Sequence, residues 1–362
     1  MRERHRETDD EIFIDSLPKV DLHSRLVFPG ISRDRPAPGE TDSRQPRPDA
    51  ALFAALARRT ARRLAAQRVR YAELSVFPID GGYSDTQVEE MFAGLDQGRR
   101  AAERHVGVAL RWTVRIPAPS GAGRTAMARH RAAAERAVEL ALCCGRGAVV
   151  GLELAAAAPG HPTGGAGYLA EVFAVARAAG LRSLPRVGRH GGPAAVWEAV
   201  TTLGAHRVGH GLGALADPVL VQYLRDQHIA IETCDGGGDR DGPLAAALGR
   251  GLAVCLGSAG VAGGTSSPRG AYLRAMRVAA LRREEVVQLV RASIGQASLP
   301  EPARALLSAE LDAAAAAWCP RLPATAPPGI APTPVPGARG PARRCRQGAF
   351  VGGRPGYRAS GS

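Results

Sequence analysis

Short apolar runs that end in polar side chains recur along this chain, and most are followed by an alanine-rich stretch with helical spacing. The runs lie at residues 20–22, 70–76, 106–116, 149–155, 184–188, 207–211, 229–234 and 253–256. The second of them alternates at period two, the third, 106–116, contains a strand, and the remaining short runs read as strands. Between them, helical patterns cover residues 52–67, 86–105, 126–144, 168–179, 194–203, 218–227, 268–277 and 283–294, with a short one at 9–17. In the 52–67 helix the spacing places Leu52, Leu56 and Leu64 inward and Arg58, Arg59, Arg62 and Arg63 outward. Strands alternating with helices predict an α/β protein, and eight candidate strands favour a closed (β/α)8 TIM barrel over an open sheet.

The barrel is expected over residues 17–319, behind a charged, frayed segment at 1–16. A Pro/Gly/Arg/Ala-rich basic tail without periodicity at 320–362 is expected to be disordered. Residues 27–50 read as a Pro/Arg/Asp-rich loop.

In a parallel α/β fold the loops that leave the strands carry the chemistry. Here the strand ends present His23, Arg25, Glu73, Glu153, Arg186, Arg189, His190, His210, Glu232, Cys234 and Ser258. The arginines have two readings. Pointing inward, Arg25, Arg186 and Arg189 would make an anion pocket, since guanidinium forks suit phosphate or carboxylate. Swung out to solvent, they would pair with Glu73, Glu153 or Asp235 and bind nothing. His210 is either an acid/base group or a histidine kept for a hydrogen bond at its strand end.

Charge alters the picture less than its size suggests. Of the formal +13, the excess sits in the segment around Arg58–Arg70 and in the tail around Arg339–Arg358, while the two signs nearly cancel between Tyr71 and Trp318. That distribution predicts a solvated tail and no specific nucleic-acid partner. Six cysteines without zinc-finger spacing do not make a disulfide framework. No signal peptide and no membrane-length apolar run is found, so the expected location is cytoplasmic, with no membrane partner.

Several of these stretches, taken together, resemble the adenosine deaminase family of the metal-dependent hydrolase superfamily. Leu17-Pro18-Lys19-Val20-Asp21-Leu22-His23-Ser24-Arg25 resembles its opening Leu-Pro-Lys-x-Glu/Asp-Leu-His-x-His. Val149-Val150-Gly151-Leu152-Glu153-Leu154-Ala155 resembles Val-Val-Gly-x-Asp-Leu-Ala. Arg186-Val187-Gly188-Arg189, then Gly192-Pro193, a helix and Val208-Gly209-His210-Gly211, resembles His-Ala-Gly-Glu, Gly-Pro and Val-Gly-His-Gly. The resemblance implies a barrel enzyme in which a zinc ion held by three histidines and an aspartate activates water against a purine ring. Matched position by position, the implied ligands are His23, Arg25, Arg186 and Ala259, the implied proton donor is Arg189, and the orienting histidine is His210.

Zinc needs three or four lone-pair donors, and a guanidinium offers none. The expectation is therefore a divergent adenosine deaminase-like protein without zinc and without zinc-dependent deamination. It would bind an anionic or nucleoside-like small molecule, a nucleoside or a nucleotide, through His23, Arg25, Glu153, Arg186, Arg189 and Ser258. His210 is the catalytic candidate. Two rivals stand beside it: a metal-free enzyme on a specialised nucleoside using His210 with Arg186 or Arg189, and a working deaminase whose ligands have moved to His190 and Cys234.

Overall fold

The computed structural model describes residues 2–26, 49–79, 83–119, 121, 123–145, 147–155, 166–188, 191–234, 242–258 and 267–319. The tail at 320–362, nearly all of the 27–50 loop, and Arg189, His190, Asp235 and Ala259 lie outside the described residues.

Strands β1 (Lys19–Arg25), β2 (Val69–Val76), β3 (Ala109–Ile116), β4 (Val149–Leu154) and β5 (Arg182–Pro185) form a five-stranded sheet in chain order. Strands β6 (Arg207–Gly209), β7 (Ala230–Thr233) and β8 (Val254–Leu256) form a second sheet of three. All pairings are parallel. Across the seam between β5 and β6, the His206 N–H donates to the Ser183 carbonyl at 2.9 Å and the Gly188 N–H to the Gly209 carbonyl at 3.2 Å. Across the seam between β8 and β1, the Ser258 hydroxyl donates to Asp21 at 2.5 Å. The two sheets thus face each other around one interior, and the architecture is the α/β (β/α)8 barrel that the periodicity predicts.

The helices are α1 (Arg2–Ser16), α2 (Ala50–Ala65), α3 (Asp85–His105), α4 (Arg124–Cys143), α5 (Ala170–Ala178), α6 (Gly192–Thr201), α7 (Pro218–Asp226), α8 (Pro243–Gly249), α9 (Pro268–Arg277), α10 (Arg283–Gln296) and α11 (Glu301–Ala316). Among these described helices, none is long and apolar enough to cross a membrane. They bury the outer face of the sheets in two clusters. Val208, Ile231, Val254 and Leu289 belong to one, and Leu74, Phe92, Trp112 and Phe173 to the other.

Three departures from the sequence reading involve four elements. First, α1 starts seven residues before the short helix expected at 9–17. Phe13 and Ile14 are fully buried, and Asp15, Glu11 and Asp10 bind Arg269, Arg277 and Arg283 at 2.7, 2.7 and 3.1 Å. Second, α2 buries Phe53, Ala57, Ala61 and Leu64, while Leu52 is exposed, because the helix lies flat on α3 through small side chains. Third, α8 and α11 were not anticipated. In α11 the buried stripe is only Leu307, Leu311 and Ala315 against an alanine background, which gives apolar periodicity little contrast.

The β5–β6 seam carries a pH dependence. The Ser183 N–H donates to His206 Nδ1 at 3.1 Å, so that nitrogen must keep its lone pair. Burial, with Arg182, Arg207 and Arg177 nearby, lowers the His206 pKa to about 4. Unfolded, the same imidazole takes a proton near pH 6.5. The unfolded chain therefore binds the extra proton first as pH falls, and stability should drop from about pH 6.5 to about pH 4 and level off below. Urea midpoints measured across that window should show the drop. His206→Asn, which keeps an acceptor but cannot titrate, should remove about one proton of slope; an unchanged slope would assign the effect to other groups.

Candidate functional site

The described side chains of the site lie on the strands or just after them, Arg207 at the start of β6 and Arg186 and Cys234 just past β5 and β7. Period two puts Asp21 with His23 on β1, Glu73 with Ser75 on β2, and Gly151 with Glu153 on β4. It also puts Arg207 with Gly209 on β6, and Ala230, Glu232 and Cys234 on and just after β7. Small residues at Gly151, Gly209 and Ala230 leave room for the long charged ones. At Gly209 a Cβ would stand 2.6 Å from Cγ of Arg186, so the glycine is what lets that side chain pass.

Arg186 follows β5, and only 4% of its surface is exposed. Its Nη2 lies 2.7 Å from Glu153 Oε2 and donates to Ser75 Oγ at 3.1 Å, and its Nη1 lies 2.9 Å from His23 Nε2. Glu153 also accepts from the Ser75 hydroxyl, and Arg115 Nε approaches its other oxygen at 3.9 Å. His23 is held from the opposite side by Glu232, whose Oε2 lies 2.8 Å from Nδ1. An ionised carboxylate only accepts, so the ring proton sits on Nδ1 and Nε2 keeps a lone pair, which accepts from Arg186. Burial lowers the His23 pKa, and the Arg186 charge lowers it further, which matches a neutral ring.

One layer deeper, Arg207 is fully buried between two carboxylates, with Nη2 at 2.5 Å from Glu73 and Nε at 2.5 Å from Glu232. Its third bond goes to the Gln296 carbonyl at 2.9 Å. Burial alone would raise both carboxyl pKa values, but the Arg207 charge outweighs it and holds Glu73 below and Glu232 well below the ordinary range. Glu73 also accepts from the Tyr71 hydroxyl at 2.9 Å and from the Ser298 N–H at 3.0 Å. The result is a continuous chain of alternating charge, Glu153–Arg186–His23–Glu232–Arg207–Glu73, running through the barrel.

His210 leaves β6 with φ of 58°, a left-handed backbone uncommon for a residue other than glycine. Its N–H donates to the Glu232 carbonyl at 2.7 Å, and its ring meets that of His23 edge-on at a centroid distance of 4.7 Å. The donor atoms of His23, His210 and Cys234 lie within 4.8 Å of one another.

Among the residues expected to bind a ligand, the structure brings Arg186 into direct contact with both His23 and Glu153. Arg25 closes β1 half-buried, in register with Ser75. Ser258 is buried, and its Oγ and N–H donate to Asp21 at 2.5 and 3.3 Å while its Oγ lies 3.2 Å from Ser24 Oγ. It works as a clasp between β8 and β1. Of the two readings of Arg186, the geometry combines halves of each: it points inward, as the anion pocket required, yet it pairs with Glu153. The residue that sequence reasoning missed is Arg207, taken only as the start of a strand. Its signal was parity, since it shares an inward face with Gly209 and thus with the polar layer.

A zinc ion at the position that the resemblance implies does not fit these residues. Three of the four implied ligand positions hold arginine or alanine, and at the fourth, His23, Nε2 is met by the Arg186 guanidinium.

These features define a parallel strand–helix barrel with its polar centre at the strand C-termini. The adenosine deaminase family model matches residues 49–314, well over half of the chain, and the chain belongs to that family. It is 29% identical over 267 residues to an aminodeoxyfutalosine deaminase of Streptomyces avermitilis, covering 71% of this chain and 72% of that protein. Among solved structures it resembles an amidohydrolase from Burkholderia ambifaria with bound Zn, with a TM-score of 0.69, 18% identity, and coverage of 85% of this chain and 94% of the other. It also resembles ADAL in complex with IMP, with a TM-score of 0.63, 18% identity, and coverage of 84% and 98%.

Proposed function

We propose that this chain is a divergent member of the adenosine deaminase family that binds a nucleoside- or nucleotide-like small molecule at the mouth of the barrel. In this reading it carries out no zinc-dependent deamination. The observation that carries the proposal is the Arg186 guanidinium, 2.9 Å from His23 Nε2 and 2.7 Å from Glu153. A guanidinium stays protonated, cannot ligate, and repels a divalent cation at that range. In this reading no zinc ion stands at the implied centre to lower the pKa of a water for attack on a purine carbon. Support for the ligand class comes from the relatives: an aminodeoxyfutalosine deaminase in sequence, and a protein holding IMP in structure. Because Glu153 already neutralises Arg186, a neutral nucleoside is favoured over a ligand whose charge must be met at that residue.

The test joins elemental analysis of the purified protein to an ammonia-release assay with adenosine and to calorimetry with adenosine and IMP. Zinc well below one per chain, no ammonia and a binding isotherm are expected. Stoichiometric zinc with ammonia release would overturn the proposal, and silence in calorimetry would remove its binding half. Should ammonia appear without zinc and vanish in His210→Ala, the metal-free enzyme built on His210 would take its place.

A further inference from the structure

Three donors of the kind that hold a transition metal converge beside Arg186, and they are not the set the family resemblance implies. His23 supplies an imidazole whose Nδ1 proton is pinned by Glu232 at 2.8 Å, leaving Nε2 aimed inward. A carboxylate behind an imidazole is the usual way in which a metal-binding histidine is oriented. His210 supplies a second ring, turned toward the first by its left-handed backbone. Cys234, at the end of β7 and 6% exposed, supplies sulfur. Their donor atoms fall within 4.8 Å of one another. A tetrahedral site with bonds of about 2.0–2.3 Å needs donors roughly 3.5 Å apart, so a contraction of about 1 Å would complete the geometry.

What stands against an ion there is Arg186. Its Nη1 caps the inward lone pair of His23 at 2.9 Å, and its other end is clamped by Glu153 at 2.7 Å and Ser75 at 3.1 Å. Gly209 keeps open the path by which the side chain reaches this position.

We infer that Arg186 is a tethered cation holding a two-nitrogen, one-sulfur metal site closed, and that His23, His210 and Cys234 take up a borderline or soft ion such as Zn(II) or Co(II) once the guanidinium is removed. Imidazole and thiolate donors suit that class of ion. Glu153, released from its ion pair, remains beside the site to offset the added charge. The inference rests on the reading of Arg186 given under the proposed function and extends it, because it assigns the vacated centre a ligand set of its own.

The experiment is Co(II) titration of the full chain, followed by visible and near-ultraviolet absorption, with folding monitored by circular dichroism. Wild type should show no thiolate-to-cobalt band. Arg186→Ala should bind about one Co(II) per chain with that band. Adding Cys234→Ala should abolish the band, and adding His210→Ala should weaken binding. Because Arg186→Ala strands a buried carboxylate, Arg186→Met with Glu153→Gln is the second variant; it removes both charges and should also gain the band. A folded Arg186 variant that takes up no Co(II), or takes it up without the thiolate band, overturns the ligand set. A wild-type protein that already shows the band overturns the closure by Arg186. A folded variant without Co(II) leaves the proposed function standing, whereas a wild-type band would also remove its metal exclusion; calorimetry and the ammonia assay tell the two failures apart.

Discussion

Replacing Arg207 by methionine is expected to cost about 3–5 kcal/mol of folding stability, the range for breaking a buried ion pair from one side. The residue is fully buried and lies 2.5 Å from both Glu73 and Glu232. Methionine fills much of the same space, so the loss comes from charge and not from a cavity. Two carboxylates would be left without their cation in a site that water does not reach, and they would have to take up protons to stay folded. The pH dependence of the variant then follows with a definite sign. In wild type both carboxyls are held below their ordinary values, so their stabilisation is complete above about pH 4.5 and lost as pH falls below it. In Arg207→Met burial would dominate and raise both values, so the variant should lose stability as pH rises through the neutral range. Urea unfolding at pH 5 and pH 8 separates the two behaviours. Adding Glu73→Gln and Glu232→Gln should recover part of the loss, because a neutral amide does not strand a charge. A single variant as stable as wild type at pH 8 would show that the carboxylates find another partner.

Gly257→Ala is expected to cost about 1–3 kcal/mol or more, the scale of forcing extra atoms into a packed interior. A Cβ on Gly257 would stand 2.3 Å from the Cβ of His23, 3.0 Å from its Cα and 3.2 Å from its backbone nitrogen. Two of those three atoms are backbone, so relief requires moving β8 away from β1. That motion would pull the Ser258 clasp off Asp21 and displace His23 from Glu232 and Arg186. Gly249→Ala at the end of α8 is the matched control, since a Cβ there meets nothing within 4 Å. It should be neutral or stabilising by up to about 1 kcal/mol through the unfolded chain. Equal denaturation midpoints for the two alanine variants would mean that the β8–β1 seam yields more easily than its geometry indicates.

The charges of the described interior meet one another across the barrel. Four carboxyl groups line the described interior, all nearly inaccessible: Asp21, held by Ser258, and Glu73, Glu153 and Glu232, which require cations. Arg207 serves Glu73 and Glu232, and Arg186 serves Glu153 while also capping His23. The three glutamates are thus neutralised by the protein's own side chains.

How much of this the sequence could show differs by element. Eight strands and most helices follow from local patterns, because a buried strand in a parallel barrel must be a short apolar run and its covering helix must repeat near 3.6. The helix α11 escaped because alanine contributes little contrast between faces, and α2 turned out to bury Phe53 where Leu52 had been expected. The residue types of the site were equally plain, including the arginines that cannot ligate.

The sequence by itself thus determined a barrel, its strand ends, and arginine or alanine at three of the four ligand positions that the resemblance implies. Only the tertiary structure decided which charges meet: Arg207 finds Glu73 across 134 positions of chain, and Arg186 finds His23 across 163. Periodicity reports the face a residue occupies, whereas the partner on that face depends on how strands far apart in the chain close around a common interior. There, burial makes an unmatched charge too costly to leave alone.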